Sequence, residues 1–203
     1  MIRKLALALG AAIAAIVVFE RVRPMPCPYA LRWMVEVPRP GLTPAAVIDA
    51  LAPRQGEAIL EVGPGTGYHS IAVARELEPG GTLHAFDVQQ QMLDALMRRA
   101  GREGVTNVEP LRGDARELPY GDASLDGAFL QTVLGEIPDG DVALRELHRV
   151  IRPGGRLVVG EIVADPHFVR ASKLRRRAEA AGFRFERRRG PAISFQAVFT
   201  RAG

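Results

Sequence analysis

The residues best equipped for chemistry are the run Glu61-Val-Gly-Pro-Gly-Thr-Gly67 and two later acids, Asp87 and Asp114. Gly63, Gly65 and Gly67 let a backbone turn sharply and a ligand come close. Where such a turn runs into a helix, the exposed amides favour a negatively polarised group. Asp87 closes the next apolar run, 20 residues after Gly67, where a carboxylate can accept hydrogen bonds from ribose hydroxyls. The spacing is G-x-G-x-G followed by Tyr68, whereas a dinucleotide site has G-x-G-x-x-G. Glu61 would face a pyrophosphate unfavourably but can orient a ligand that carries an ammonium. The pattern therefore suits a nucleoside with an amino-acid tail and no phosphate.

The elements that must position these residues alternate. Helical patterns over Pro44–Leu51, Ser70–Leu77, Gln90–Arg99, Asp141–Val150 and Ser172–Ala181 are separated by apolar runs at Ala58–Val62, Thr82–Asp87, Val108–Arg112, Leu125–Leu130 and Arg156–Val163. This predicts an α/β Rossmann-like, doubly wound sheet, mostly parallel. Thr43-Pro44 reads as a helix start, and Pro153-Gly154-Gly155 as a break before the fifth strand. Phe183–Arg189 and Ile193–Thr200 alternate around Gly190-Pro191 and predict an antiparallel C-terminal pair.

In this context the chain resembles class I S-adenosylmethionine-dependent methyltransferases, in particular the small-molecule group that includes the ubiquinone/menaquinone type. The resemblance covers residues 44–163. It rests on Ile59–Gly67, Ala85-Phe-Asp-Val88, Gly113-Asp-Ala115 with Leu118-Pro119-Tyr120, Leu125–Phe129 and Glu146–Leu157. It implies S-adenosylmethionine as cofactor, with Gly63, Pro64, Gly65, Thr66 and Gly67 shaping its loop and Glu61 near its methionine amino group. Asp87 would take the ribose hydroxyls and Val88 would pack on the adenine. Asp114 and the Ala115 amide would meet the adenine edge, and Leu130 and Gln131 would lie under the methionine part.

Methyl transfer from a sulfonium needs an oriented nucleophile, and a base only when the acceptor must lose a proton early. Candidate groups are Tyr29, Tyr68, His69, Glu136 and His167, with Glu136 and Tyr29 foremost as catalytic residues. The fourth strand ends Phe129-Leu-Gln-Thr132. It lacks the Asn/Asp-Pro-Pro-Tyr/Phe motif of amino-methylating nucleic-acid enzymes, and no cysteine follows it. Nucleic acid is thus a minority alternative. Nicotinamide oxidoreduction is disfavoured by the glycine spacing, and aminopropyl transfer by Gln131 and Thr132 where paired acids are expected. A catalytically silent, cofactor-binding scaffold is the remaining alternative. The four histidines and one cysteine are scattered, so no metal site is expected.

The chain has 203 residues, 47% of them apolar and 25% charged, and a net charge of +4. That fits one domain with a short appendage. The appendage is Leu5–Phe19, fifteen residues without a charge, between Arg3-Lys4 and Glu20-Arg21. As a helix it would be about 22 Å long, marginal against a hydrocarbon core of about 30 Å. The expected organisation is an anchor helix over 1–23, a proline-rich linker or lid over 24–43 with a short helix at Tyr29–Val37, and the catalytic domain over 44–203. A membrane-associated protein with its catalytic domain facing the cytoplasm follows from Arg21, Arg23 and Arg32. A lid tethered to a bilayer suggests a small amphiphilic acceptor. The arginines Arg170, Arg175–Arg177, Arg184 and Arg187–Arg189 could face anionic lipids.

Overall fold

The computed structural model describes residues 25–34 and 36–202. The expected anchor over Leu5–Phe19 lies outside the described residues. Among those described, no helix is long and apolar enough to cross a membrane.

A 3₁₀ turn, Tyr29–Met34, comes first. Then follow α1 (Pro44–Leu51), β1 (Ala58–Val62), α2 (Ser70–Leu77), β2 (Thr82–Asp87), α3 (Gln90–Glu103), β3 (Val108–Arg112) and β4 (Leu125–Gln131). The chain ends with α4 (Gly140–Val150), β5 (Ile151–Ile162), α5 (Ala171–Ala180), β6 (Phe183–Arg189) and β7 (Ser194–Arg201). One seven-stranded sheet has the order β3-β2-β1-β4-β5-β7-β6. Strands β1 to β5 pair in parallel, and β7 runs antiparallel to both β5 and β6. This is the expected α/β doubly wound sheet with an antiparallel C-terminal pair. The connections run outward to β3 on one side and to β5 on the other. The carboxyl ends of β1 and β4 therefore flank a topological switch point, where such sheets bind ligands.

Alternate residues of the central strands feed two cores. Ile59, Leu83, Phe129 and Val158 pack with α1, α2 and α3, while Leu60, Val62, Leu130 and Val159 pack with α4 and α5. The period of two is what a strand buried on both faces requires.

Helix α1 starts as its sequence dictates. The Thr43 hydroxyl accepts from the Ala46 amide at 3.2 Å, and Pro44 occupies the first turn. Thr43→Ala is expected to cost about 1 kcal/mol, read as a fall in Tm of about 2–4 °C for a chain this size. Thr43→Ser should keep the wild-type Tm.

Three element boundaries differ from expectation by more than one residue. α3 runs four residues past Arg99, because Ala100 supplies a further buried contact and the stop is Gly104 in the left-handed region. Pro153-Gly154-Gly155 does not stand between the helix and the fifth strand: α4 ends at Val150, and β5 starts at Ile151 and runs through the tripeptide. Register passes from Leu125↔Ile151 to Gly127↔Arg156, so β5 carries three extra residues in a bulge. Gly155 is needed there, since a Cβ would lie 2.8 Å from the Asp126 carbonyl oxygen. The helix expected over Tyr29–Val37 is instead the 3₁₀ turn ending at Met34; Pro38 and Pro40 deny a longer helix amide donors beyond it.

Candidate active site

The cleft opens at the switch point and encloses about 950 Å³ of non-atom space, open solvent at its mouth included. Gly63, Pro64 and Gly65 form one wall, directly after β1. Gly63, Gly65 and Gly67 all have positive φ, at 70°, 55° and 87°, where side chains are strained. A Cβ at Gly63 would lie 2.5 Å from Val133, and one at Gly67 2.4 Å from Leu96. The glycines therefore set both the shape of the loop and its distance from β4 and α3.

Asp87, at the carboxyl end of β2, faces the cleft and accepts from the Gln89 amide at 2.9 Å. Burial pushes its carboxyl above the usual range; bonds from the Gln89, Gly65 and Val88 amides oppose this. Val88, 44% exposed, presents an apolar surface beside it. Gly113, Asp114 and Ala115 form the next part of the wall. Gly113 lies against the Phe86 ring, 2.4 Å from where its Cβ would be. Asp114 is paired with Arg116 at 2.6 Å, which holds its carboxyl below the usual range. Gln131 lines the cleft from β4 and exchanges amide bonds with Gln196 at 2.8 and 3.0 Å.

Four predicted cofactor residues stand behind the wall. Glu61 is 2% exposed and accepts from the Ser70 hydroxyl at 2.5 Å. Burial raises its carboxyl to about 8; the Ser70 bond lowers it and Asp87 raises it further. Leu130 is fully buried in β4. Gly67 packs on α3. The Thr66 hydroxyl donates to Glu36 at 2.7 Å.

That last bond belongs to a segment lying across the cleft, the linker or lid expected over 24–43, in which the sequence points to Tyr29, Trp33 and Met34. Pro26, Cys27 and Arg39 line the cavity. The Cys27 carbonyl accepts from Gln89 Nε2 at 3.0 Å, and its amide donates to Glu136 Oε2 at 3.4 Å. Arg39 donates to Thr132 Oγ1 at 3.0 Å and to the Met34 carbonyl at 2.9 Å. Three of these contacts join residues 62, 109 and 93 positions apart, and no local pattern announces them.

Among the candidate bases, Glu136, Tyr68 and His69 line the cleft. Burial drives the Glu136 carboxyl up to about 8, and Asp165 pushes the same way, while the Cys27 amide opposes it. His69 is held neutral, near 4, mainly by burial, its Nε2 bonded to the Leu42 carbonyl at 2.9 Å. Tyr29 does not line the cleft; the Arg32 guanidinium lies 4.5 Å above its ring. His167 lines a separate cavity beside α5. Among the described residues no group of His, Cys, Asp or Glu is placed to hold a metal.

Glu61, Glu136 and Glu161 are all raised from 4.5 to about 8. The folded state thus binds these protons more tightly than the unfolded chain. Their contribution to stability is full below about 4.5 and is lost as pH rises towards 8. His69 acts oppositely, but only below its ordinary 6.5. Between pH 6.5 and 8 the ligand-free protein is therefore expected to lose thermal stability steadily. Glu161→Gln should flatten the slope; a Tm flat or rising across that window would contradict the assignment.

The residues fit S-adenosylmethionine. Asp87 at a strand end, a glycine turn that admits close approach, and a wall carrying Val88, Asp114 and Ala115 suit its ribose and adenine without asking for a phosphate site. A switch-point cleft with this donor set defines a class I S-adenosylmethionine-dependent methyltransferase. The comparisons with known proteins agree. The model of the ubiE/COQ5 methyltransferase family matches residues 42–172, more than half of the chain, and the chain belongs to that family. It is 35% identical over 112 residues to a demethylmenaquinone methyltransferase of Staphylococcus aureus, covering 55% of this chain and 46% of that protein. It is 39% identical over 117 residues to a 37.1 kDa protein in transposon TN4556 of Streptomyces fradiae, covering 58% of this chain and 33% of that one. The chain thus spans less than half the length of these relatives. In fold it is similar to a SAM-dependent methyltransferase from Aquifex aeolicus, with a TM-score of 0.79 at 20% identity, over 87% of this chain and 100% of that one.

Proposed function

We propose that this chain methylates a hydroquinone-like acceptor carrying an apolar tail, with Glu136 as the base that takes a hydroxyl proton. The observation that carries the reading is the Glu136 carboxyl, facing the cleft beyond Gln131 and Thr132 and poised near 8. A base is most effective with a pKa near the working pH. A phenolic hydroxyl must be ionised for the ring to act as a strong nucleophile. The demethylmenaquinone methyltransferase relative supports an acceptor of this chemistry.

When bound, S-adenosylmethionine supplies a methyl group on a positively charged sulfur. Asp87 and the loop from Gly63 to Gly67 hold and orient the nucleoside part, and Asp114 and Ala115 border its base. Glu61, buried behind the loop, favours a cationic neighbour once ionised. Pro26, Cys27 and Arg39 act as a lid that excludes water, and Cys27 fixes the Glu136 carboxyl through its amide.

The apolar tail is suggested by the lid. Leu31, Trp33, Met34 and Val37 are 42%, 60%, 45% and 48% exposed, close in sequence to the apolar run Leu5–Phe19. In this reading residues 5–19 hold the protein at a membrane, with the catalytic domain on the cytoplasmic side.

The test is incubation of the full chain with labelled cofactor and a short-tailed demethylmenaquinol under reducing conditions, with calorimetry of cofactor binding alongside. Label in the quinol is expected. Cofactor binding without label transfer overturns the acceptor; absence of cofactor binding overturns the catalytic reading as a whole.

A further inference from the structure

A second cavity lies beside the cleft, where the first turns of α4 and α5 approach each other. The loop after β4 forms a wall shared by the two: Val133 and Glu136 line the cleft, Leu134 and Gly135 line the second cavity, and Ile137 lines both. Four cations and two carboxylates border this second space: Arg170, Lys173, Arg176 and Arg177 against Asp139 and Asp141.

One of the cations is already engaged. Arg177 pairs through Nε with Asp141, and its Nη2 lies 2.7 Å from where a Cβ at Gly140 would be. Glycine at the first position of α4 thus lets a guanidinium lie against the helix start, the positive end of its dipole. Arg170, Lys173 and Arg176 have no carboxylate within 4 Å among the described residues. They recur every three positions along α5, so their charges sit on neighbouring turns and repel. Asp139, the cap of α4, makes no side-chain bond to the helix amides that follow it, and the Val142 amide donates to its carbonyl instead. Three exposed cations bordering one cavity against the single remaining carboxylate of Asp139 leave an excess of positive charge, which a multivalent anion would offset.

We propose that this cavity binds a phosphate group, on a soluble ester or on a lipid headgroup. Phosphate offers enough oxygens for the Arg170 and Arg176 forks and the Lys173 ammonium together. Binding here is independent of what the cleft methylates.

The experiment titrates the full chain with glycerol phosphate and with inorganic phosphate at constant ionic strength, chloride serving as the control anion. In parallel, flotation compares vesicles of phosphatidylglycerol with vesicles of phosphatidylcholine. Arg170→Gln/Lys173→Gln and, separately, Arg176→Gln are measured beside the wild type. Saturable binding of a phosphate probe, or a preference for phosphatidylglycerol, is expected. Either should weaken at least about tenfold in the double variant, the loss of charge-assisted bonds, while S-adenosylmethionine affinity stays unchanged. Saturation by soluble glycerol phosphate identifies an ester ligand; a headgroup preference without it identifies a lipid. The inference is overturned if the wild type shows neither, or if both variants, folded by Tm, bind as the wild type does.

Discussion

Asp87→Asn should bind S-adenosylmethionine about 30- to 150-fold more weakly than the wild type, because two charge-assisted hydrogen bonds are replaced by neutral ones at a loss of about 1–1.5 kcal/mol each. The carboxylate stands at the end of β2, facing the cleft, and only the Gln89, Gly65 and Val88 amides compete for its oxygens. Burial holds its carboxyl above the usual range, so removing the charge relieves a desolvation cost. Thermal stability without ligand should accordingly stay level or rise. Calorimetry gives the affinity and a thermal scan the stability. A variant that keeps wild-type affinity would remove Asp87 from the binding site.

Glu136→Gln should lower kcat about 100- to 10,000-fold, the usual contribution of a positioned base, while cofactor affinity remains near wild type. The two effects separate if, as proposed, Glu136 serves the acceptor and Asp87 the nucleoside. The pH profile carries a second readout. With a carboxyl near 8, the base is mostly protonated at pH 6 and becomes competent as pH rises through 8. The wild-type rate should climb over that interval, and the residual rate of Glu136→Gln should lose that dependence. Asp165→Asn should shift the wild-type midpoint downward, since Asp165 raises the Glu136 carboxyl by charge repulsion. A kcat unchanged in Glu136→Gln would mean that another group, or none, takes the proton.

Much of the site is legible in the sequence because its parts are local. A glycine turn between a strand and a helix, and an acid at the next strand end, are separated by short stretches whose geometry is fixed by the elements themselves. Gly63, Gly65, Asp87, Asp114 and Gln131 accordingly stand on the cleft where the motif places them. The lid is different in kind. Cys27 meets Glu136 across 109 positions and Arg39 meets Thr132 across 93, through backbone groups and one guanidinium that leave no spacing to read. Tyr29 drew notice for its side-chain chemistry, whereas the lid works through the Cys27 backbone. Glu61 shows the limit of reading type without depth: its position beside the turn is evident, its burial behind the loop is not. The Pro153–Gly155 bulge shows the same for strands, since residues that break regular pairing can be absorbed when the neighbouring strand continues past them.

The placement of β7 governs how the chain can be made. The seventh strand sits inside the sheet, paired over Ser194–Thr200 with β5 on one side and over Gln196–Arg201 with β6 on the other. Until it emerges from the ribosome, β6 has nothing to pair with and β5 offers an open edge. The sheet therefore closes only when the eight residues of β7 insert between strands made before it, and a lesion confined to β7 would unseat β6 as well.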